Sequence, residues 1–147
     1  MAAAANWKPS NVMSGTFGKV WLNGIQVFEA KACDAKVEIQ QEPVKQAGKL
    51  VDGQKMTGYS GSGTMRLNKV FSRAQILLTN LLKQGINPEF TVMSEVKDPA
   101  AYGTERMILT GVQFSTLPVI GWELGALVEE ELPFTFTDWK PATTVAY

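Results

Sequence analysis

The residues of this chain that could do chemistry are few and stand in three places. The run Gly58-Tyr59-Ser60-Gly61-Ser62-Gly63 sets serine hydroxyls on a glycine-rich backbone, the raw material of a phosphate loop or a nucleophile elbow. It has neither spacing: no Lys-Ser/Thr pair closes a phosphate loop, and an elbow serine needs a histidine base. The 147 residues contain no histidine. That removes Ser–His–Asp and Cys–His nucleophile systems and imidazole metal ligands together. Glu129-Glu130-Glu131 could pair carboxylates around a cation. Successive strand residues point to opposite faces, however, so at most two share a side, and a solvated acidic patch is expected. Cys33 is the single cysteine, which excludes an internal disulfide and a zinc cluster. It sits on an apolar strand face and is expected to be inert core. With no catalytic set, cofactor site or metal site predicted, the sequence points to binding, scaffolding or assembly and not to an enzyme.

The totals agree. A chain of this length fits one domain, 1–147, able to bury a core without staples. Hydrophobic residues make up 45%, which argues against wholesale disorder, while charged residues are only 19%, below the usual quarter. A surface with little charge is easier to desolvate and favours self-association. Fourteen basic and fourteen acidic residues give a formal charge of zero, so the basic excess of a protein that grips phosphates is missing. The start, Met1 to Pro9, lacks a basic region followed by an apolar run and predicts no secretory leader. The greasiest stretch, Leu117 to Val128, is interrupted by Gly121, Glu123 and Gly125 and is too short to span a bilayer, so no membrane anchor is expected.

The elements that position these residues are mostly strands. Residues 1–16 read as an N-terminal arm with Trp7 and Met13 as anchors, mobile in an isolated subunit. Lys19–Leu22 is a strand, with Trp21 in the core, and Asn23-Gly24 is a two-residue hairpin turn. Over 31–41, Cys33, Ala35, Val37 and Ile39 share one face, and Asp34, Lys36, Glu38 and Gln40 the other. Glu42-Pro43 is expected to end that strand, opening a long polar loop over 42–54, also mobile. In the next strand Tyr59, Gly61, Gly63, Met65 and Leu67 share one face, opposite Ser60, Ser62, Thr64 and Arg66. Its small residues predict close approach to another backbone or surface.

Residues 72–84 predict the one helix: a capping box of Ser72 and Gln75, a stripe of Ala74, Leu77, Leu78, Leu81 and Leu82, and Gly85 just past its end. Phe90–Met93 is a strand. In 105–117 the apolar parity switches between Leu109 and Val112, which predicts a β-bulge near Gly111. Residues 130–137 form a last strand, in which Pro133 argues for an edge or a strand start; 139–147 is a tail. One amphipathic helix covers one sheet face, so the polar faces must meet water or an aqueous cavity.

Three blocks carry a resemblance: Gly18-Lys-Val-Trp21-Leu-Asn-Gly24, Gly48 through Gly58 and Gly63 to Val70, and Gly103 to Val112 with Glu129 through Phe136. They resemble the tail tube proteins of contractile phage tails and of phage-like particles of the PBSX and R-type bacteriocin kind, over most of residues 15–138. The resemblance implies a mainly β fold, a β-sandwich or split barrel with a flanking helix, assembled into hexameric rings. Strands of each subunit would join an intersubunit barrel around a lumen, closing the exposed edges in company. Roughly two dozen strands at about 4.8 Å spacing give a barrel on the order of 45 Å across.

The partners it implies are further copies of the chain, together with sheath, baseplate and tail-terminator proteins; DNA enters only as passing cargo. The implied location is the bacterial cytoplasm during assembly, then the virion tail or a released particle. Strand parity then nominates Glu38, Gln40, Ser60, Ser62, Thr64 and Thr135 as lumen-facing, a wall without excess positive charge along which phosphates would slide. Trp7, Lys45, Lys49, Val51, Asp52 and Lys55, from the arm and the long loop with its border, are nominated for the subunit interface. The alternatives are a tube of the type VI secretion kind, a monomeric β-sandwich binding module, and a histidine-free hydrolase built on carboxylates.

Overall fold

Asn23 and Gly24 both adopt positive φ, 51° and 82°, the turn that matches the twist of paired strands. They join β1 (Gly18–Leu22) to β2 (Ile25–Gln26) in a computed structural model that describes residues 6–146. Residues 1–5 of the expected arm lie outside the described residues. The remaining strands are β3 (Ala30–Val44), β4 (Gly53–Asn68), β5 (Phe90–Val96), β6 (Glu105–Phe114), β7 (Glu129–Phe136) and β8 (Asp138–Thr143). All pairings are antiparallel, in the order β2-β1-β5-β6-β7-β4-β3, with β8 also on β6.

Strand β6 serves two sheets. Arg106–Thr110 pairs with β8 while the same stretch pairs with β5, and beyond Gly111 the residues Gln113 and Phe114 pair with β7. The switch occurs at the expected bulge. Leu109 faces Val92 and Val112 faces Phe90, so one extra residue is spent on β6. Gly111 there has φ 64°, and both Leu109 and Val112 return to the core.

The core is the shared inner face: Val20, Leu22, Met65, Leu67, Val92, Leu109 and Leu132 with a run of aromatic rings. Phe90, Phe114, Phe134, Phe136, Trp139 and Tyr59 follow one another at centroid distances of 5.4–6.5 Å, mostly tilted or edge-on. The α1 helix (Arg73–Lys83) covers one end, sending Ala74 and Leu78 inward. Its C-terminus closes through Gly85 at φ 81°, with Gly85 N donating to Leu82 O (3.0 Å) and Ile86 N to Leu81 O (2.9 Å), a Schellman motif.

Several expectations are corrected. Ser72 does precede the helix, but its side chain makes no capping bond, because its backbone (φ −91°, ψ 48°) is not the extended form a cap requires. Gln75 is drawn instead to Pro118 O (2.8 Å) and Thr79. Pro133 lies in a strand flanked on both sides. Its carbonyl accepts from Ser115 at the very end of the β6–β7 ladder, so the missing N–H falls where β6 has finished. The expected tail is largely strand: 139–143 belong to β8, with Trp139 packed against the core. Trp21 is half-buried and stays outside the buried core. The loop is shorter than 42–54, since the ladder continues through Pro43 opposite Gln54 and Val44 opposite Gly53; the turn is 45–52. Pro43 is tolerated because β3 is an edge.

The arm, from residue 6 on, is held. Asn11 Nδ2 donates to Ala100 O (3.0 Å), Ser14 N to buried Asp98 (2.9 Å), and Tyr102 Oη to Asn6 O (3.4 Å). The turn between β5 and β6 is therefore its anchor, a pairing across a sequence separation too large to read locally.

Candidate assembly surfaces

The hairpin of β3 and β4 builds two features at once. Its inner half is planted on the core by the glycines of β4. A Cβ added to Gly61 would lie 2.6 Å from Phe136 Cδ2, and one on Gly63 would lie 2.6 Å from Phe134 Cζ. Its outer half has no other strand beside it among the described residues. Pairing of β4 with β7 begins at Gly61, and residues 53–60 at ~3.3 Å each carry the hairpin roughly 25 Å onward. Tyr59, edge-on to Trp139 at 5.4 Å, props it from the side. Along its outer edge β3 pairs with no strand among the described residues, so a backbone ladder stands open.

The second feature is a polar face. Register places Glu38 opposite Ser60, Lys36 opposite Ser62, Asp34 opposite Thr64, Gln40 opposite Gly58 and Thr135 opposite both Ser62 and Gln113. Directly opposed residues point to one side. All six residues nominated by parity (Glu38, Gln40, Ser60, Ser62, Thr64, Thr135) therefore lie on one continuous surface across β3, β4 and β7. Ser62 and Thr64 are half-buried and the other four exposed. Gln113 was not nominated; the bulge at Gly111 is what turns it to this side. Lys36 and Glu38 pair at 3.1 Å, both well exposed, so two of the charges on this face offset one another. A shallow trough lined by Lys36, Ser62, Thr64, Ser115 and Thr135 runs across it.

The residues nominated for the interface are not brought together. Lys45, Lys49, Val51 and Asp52 sit in the 45–52 turn, all exposed, with Leu50 and Val51 offering apolar surface to solvent. Lys55 is in β4, opposite Glu42. Trp7 is exposed, next to Asn6, whose carbonyl accepts from Tyr102 in the 98–102 turn.

The titratable groups act as structural ties. Arg73 grips Glu29 through two bonds of 2.7 and 3.2 Å; that hydrogen bonding, outweighing burial, holds the Glu29 carboxyl below its ordinary value. Arg106 holds buried Glu95, and Lys69 holds buried Glu130 at 2.8 Å. The acidic run is therefore not one solvated patch: Glu130 points inward, Glu129 pairs with Lys31 on the surface and Glu131 is exposed. Cys33 is half-buried against the core, and burial first, then the Asp34 charge, pushes its thiol up to about 11. Among the described residues no three His, Cys, Asp or Glu side chains are grouped to hold a metal ion, and no helix is long and apolar enough to cross a membrane.

An open-edged β fold with two-faced strands, a projecting hairpin and one covering helix leaves a free backbone ladder to which a further strand could add. The sequence pattern of the family described as phage tail tube protein matches residues 5–142. The phage-like element PBSX protein XkdM of Bacillus subtilis (strain 168) is 34% identical over 134 residues, covering 90% of this chain and 91% of that protein. The chain belongs to the phage tail tube protein family and is a tail structural protein. A solved Bacillus subtilis protein, 31% identical, matches 92% of this chain and 99% of its own with a TM-score of 0.51. The fold is shared more closely with two remote structures. One is from the anti-feeding prophage tube-terminating cap (TM-score 0.75, 9% identity, 98% of this chain and 100% of that one). The other is from the sheath–tube complex of an extracellular contractile injection system (TM-score 0.70, 5% identity, 90% and 93%).

Proposed function

We propose that this protein is the repeating, non-enzymatic subunit of the hollow inner tube of a contractile phage tail or phage-like bacteriocin particle, polymerising as stacked hexameric rings. The observation that carries this reading is the conjunction of an open β3 edge with a polar face on the same hairpin. Closing that edge with the next copy would line a channel with Glu38, Gln40, Ser60, Ser62, Thr64 and Thr135. A ring solves the edge problem by symmetry, because each copy completes the ladder of its neighbour.

On this reading the exposed 45–52 turn, with Lys45, Lys49, Val51 and Asp52, reaches beyond its own ring. Trp7 and Lys55 make further contacts between subunits. A lumen of hydroxyls, amides and paired charges presents little to hold a phosphate backbone, which suits DNA as passing cargo. Sheath, baseplate and terminator proteins are the partners outside the tube. The particle assembles in the bacterial cytoplasm and then forms part of a virion tail or released particle.

The test is negative-stain electron microscopy of the purified protein at high concentration. Rings and hollow rods with six-fold end views are expected. A particle that remains monomeric at every concentration refutes the proposal and favours a stand-alone binding module.

A further inference from the structure

The connection between β6 and β7, residues 115–128, is the most apolar exposed segment described, and the ladder-closing reading gives it no task. It is not slack. Gln75 Nε2 of α1 ties Pro118 O at 2.8 Å, Lys69 N ties Val128 O at 2.9 Å, and a turn at the tip is closed by Ala126 N donating to Glu123 O (3.2 Å) with Gly125 at φ 82°. This fixed loop holds Val119, Ile120, Trp122, Leu124 and Leu127 out to solvent at 73–96% exposure. Five large apolar side chains so exposed exceed the few hundred square ångströms that monomers ordinarily show, and approach the ~800 Å2 that one partner contributes to a stable interface.

A cleft of about 400 Å3 lies elsewhere on the molecule, walled by Leu22, Ile25, Phe71, Ile76 and Leu77. Ile25, Phe71 and Ile76 are exposed there, and Arg73, the charged member of the wall, is engaged by Glu29. The cleft is thus an apolar depression without an unpaired charge, with room for an aromatic and an aliphatic side chain.

Their placement decides the occupant. At 100° per residue, Arg73 and Leu77 lie on one flank of α1 and Gln75 and Thr79 on the other, with Ala74 and Leu78 facing the core between them and Ile76 on the outer crest. The loop is tied at Pro118 to the Gln75 flank, and the cleft runs from the Arg73–Leu77 flank up to the Ile76 crest. A chain with an exposed apolar loop tied to one flank and an apolar cleft on the other has no need of a two-fold axis to pair them. It satisfies both by head-to-tail contact, which closes into a ring when the rotation permits.

We infer that the 119–127 loop of one copy seats in the Ile25–Phe71–Ile76 cleft of the next, giving each ring a second, side-chain contact outside the strand ladder. This rests on the ring reading proposed above and adds its hydrophobic clamp.

The test uses the full chain with Ile76→Cys and Leu124→Cys on a Cys33→Ser background, oxidised under assembly conditions and run on a non-reducing gel beside micrographs of the wild type. A ladder of disulfide-linked species beyond dimer is expected from the double variant, and none from either single cysteine. Wild-type rods with a double variant that yields monomer bands alone overturn the clamp and leave the tube reading standing. A ladder without wild-type rods supports head-to-tail docking while refuting the tube. Absence of both refutes both. As a second measurement that does not depend on cysteine geometry, Leu124→Asp on this solvent-exposed tip should keep the wild-type circular dichroism spectrum and melting temperature. It should lower the yield of rings and rods at least about tenfold; undiminished assembly overturns the clamp.

Discussion

Gly63 of β4 lies directly under the ring of Phe134 of β7, so close that a Cβ on Gly63 would stand 2.6 Å from Phe134 Cζ. Phe134 is among the most deeply buried side chains, at 1% exposure, and cannot yield. The same Cβ would stand closer still to the Asp34 carbonyl of β3, so only glycine fits between that backbone and the ring, and the fit sets the hairpin against the core. Gly63→Ala should destabilise the subunit by about 2–3 kcal/mol through overpacking. Gly121→Ala, where nothing lies within 4 Å, should change it by less than about 0.5 kcal/mol. Urea titrations of the two variants check the contrast; equal midpoints for both would show that neither the ring nor the Asp34 carbonyl is the constraint.

The Glu29–Arg73 pair ties the β2–β3 connection to the start of α1. Because the folded carboxyl holds its proton less tightly than the ordinary value of 4.5, acid protonates the unfolded chain first. The pair thus contributes above about pH 4.5 and its contribution is lost as pH falls through the lower folded value. Glu29→Gln should cost about 1–3 kcal/mol at pH 7, and the gap to wild type should narrow below about pH 4. Denaturation curves at pH 3.5 and 7 test this; a gap that stays constant contradicts it.

Cys33 should resist alkylation in the folded subunit. With its thiol at about 11 against an ordinary 9.0, the thiolate fraction at pH 8 is about a hundredfold smaller than that of an unperturbed thiol. Labelling with a charged disulfide reagent should be correspondingly slow until denaturant is added. Immediate labelling under native conditions would refute it.

Replacing 45–52 by Asn-Gly should shorten the hairpin without unfolding it, since the turn makes only a local bond, Lys49 N to Gln46 O at 3.2 Å. The melting temperature should fall by no more than about 2 °C. Rods should be lost if, as proposed, this turn reaches beyond its ring. Normal rods from the shortened chain would remove the turn from assembly.

Local rules carried much of the reading. Asn23-Gly24, Gly85 and the parity switch at Gly111 are positions where backbone sterics admit few alternatives, and each appears as the sequence indicates. The 55–67 alternation was legible because its period of two survives into a half-buried strand. What escaped depends on partners far along the chain. The β8 strand, with Pro141 inside it, looks like a tail until β6 supplies its ladder. Pro133 reads as an edge residue until β6 is known to stop beside it. The arm looks frayed because Asp98, which receives Ser14 N, is 84 positions away. The six polar positions were found by alternation alone, whereas Trp7 and the hairpin turn share no surface within one copy.

Because β6 is a member of both sheets, it is the one strand among the described residues whose ladders join them, beside the direct chain connections at 27–29 and Thr137. Tension applied at the hairpin reaches β6 by ladder through β4 and β7 at Gln113 and Phe114, and reaches β8 and β1 along the chain itself. Two residue pairs make that crossing by ladder, against eight between β4 and β7, so it is the ladder along this route that parts first. Slow amide exchange should therefore persist within each sheet under a pull that has already opened the seam at Gly111.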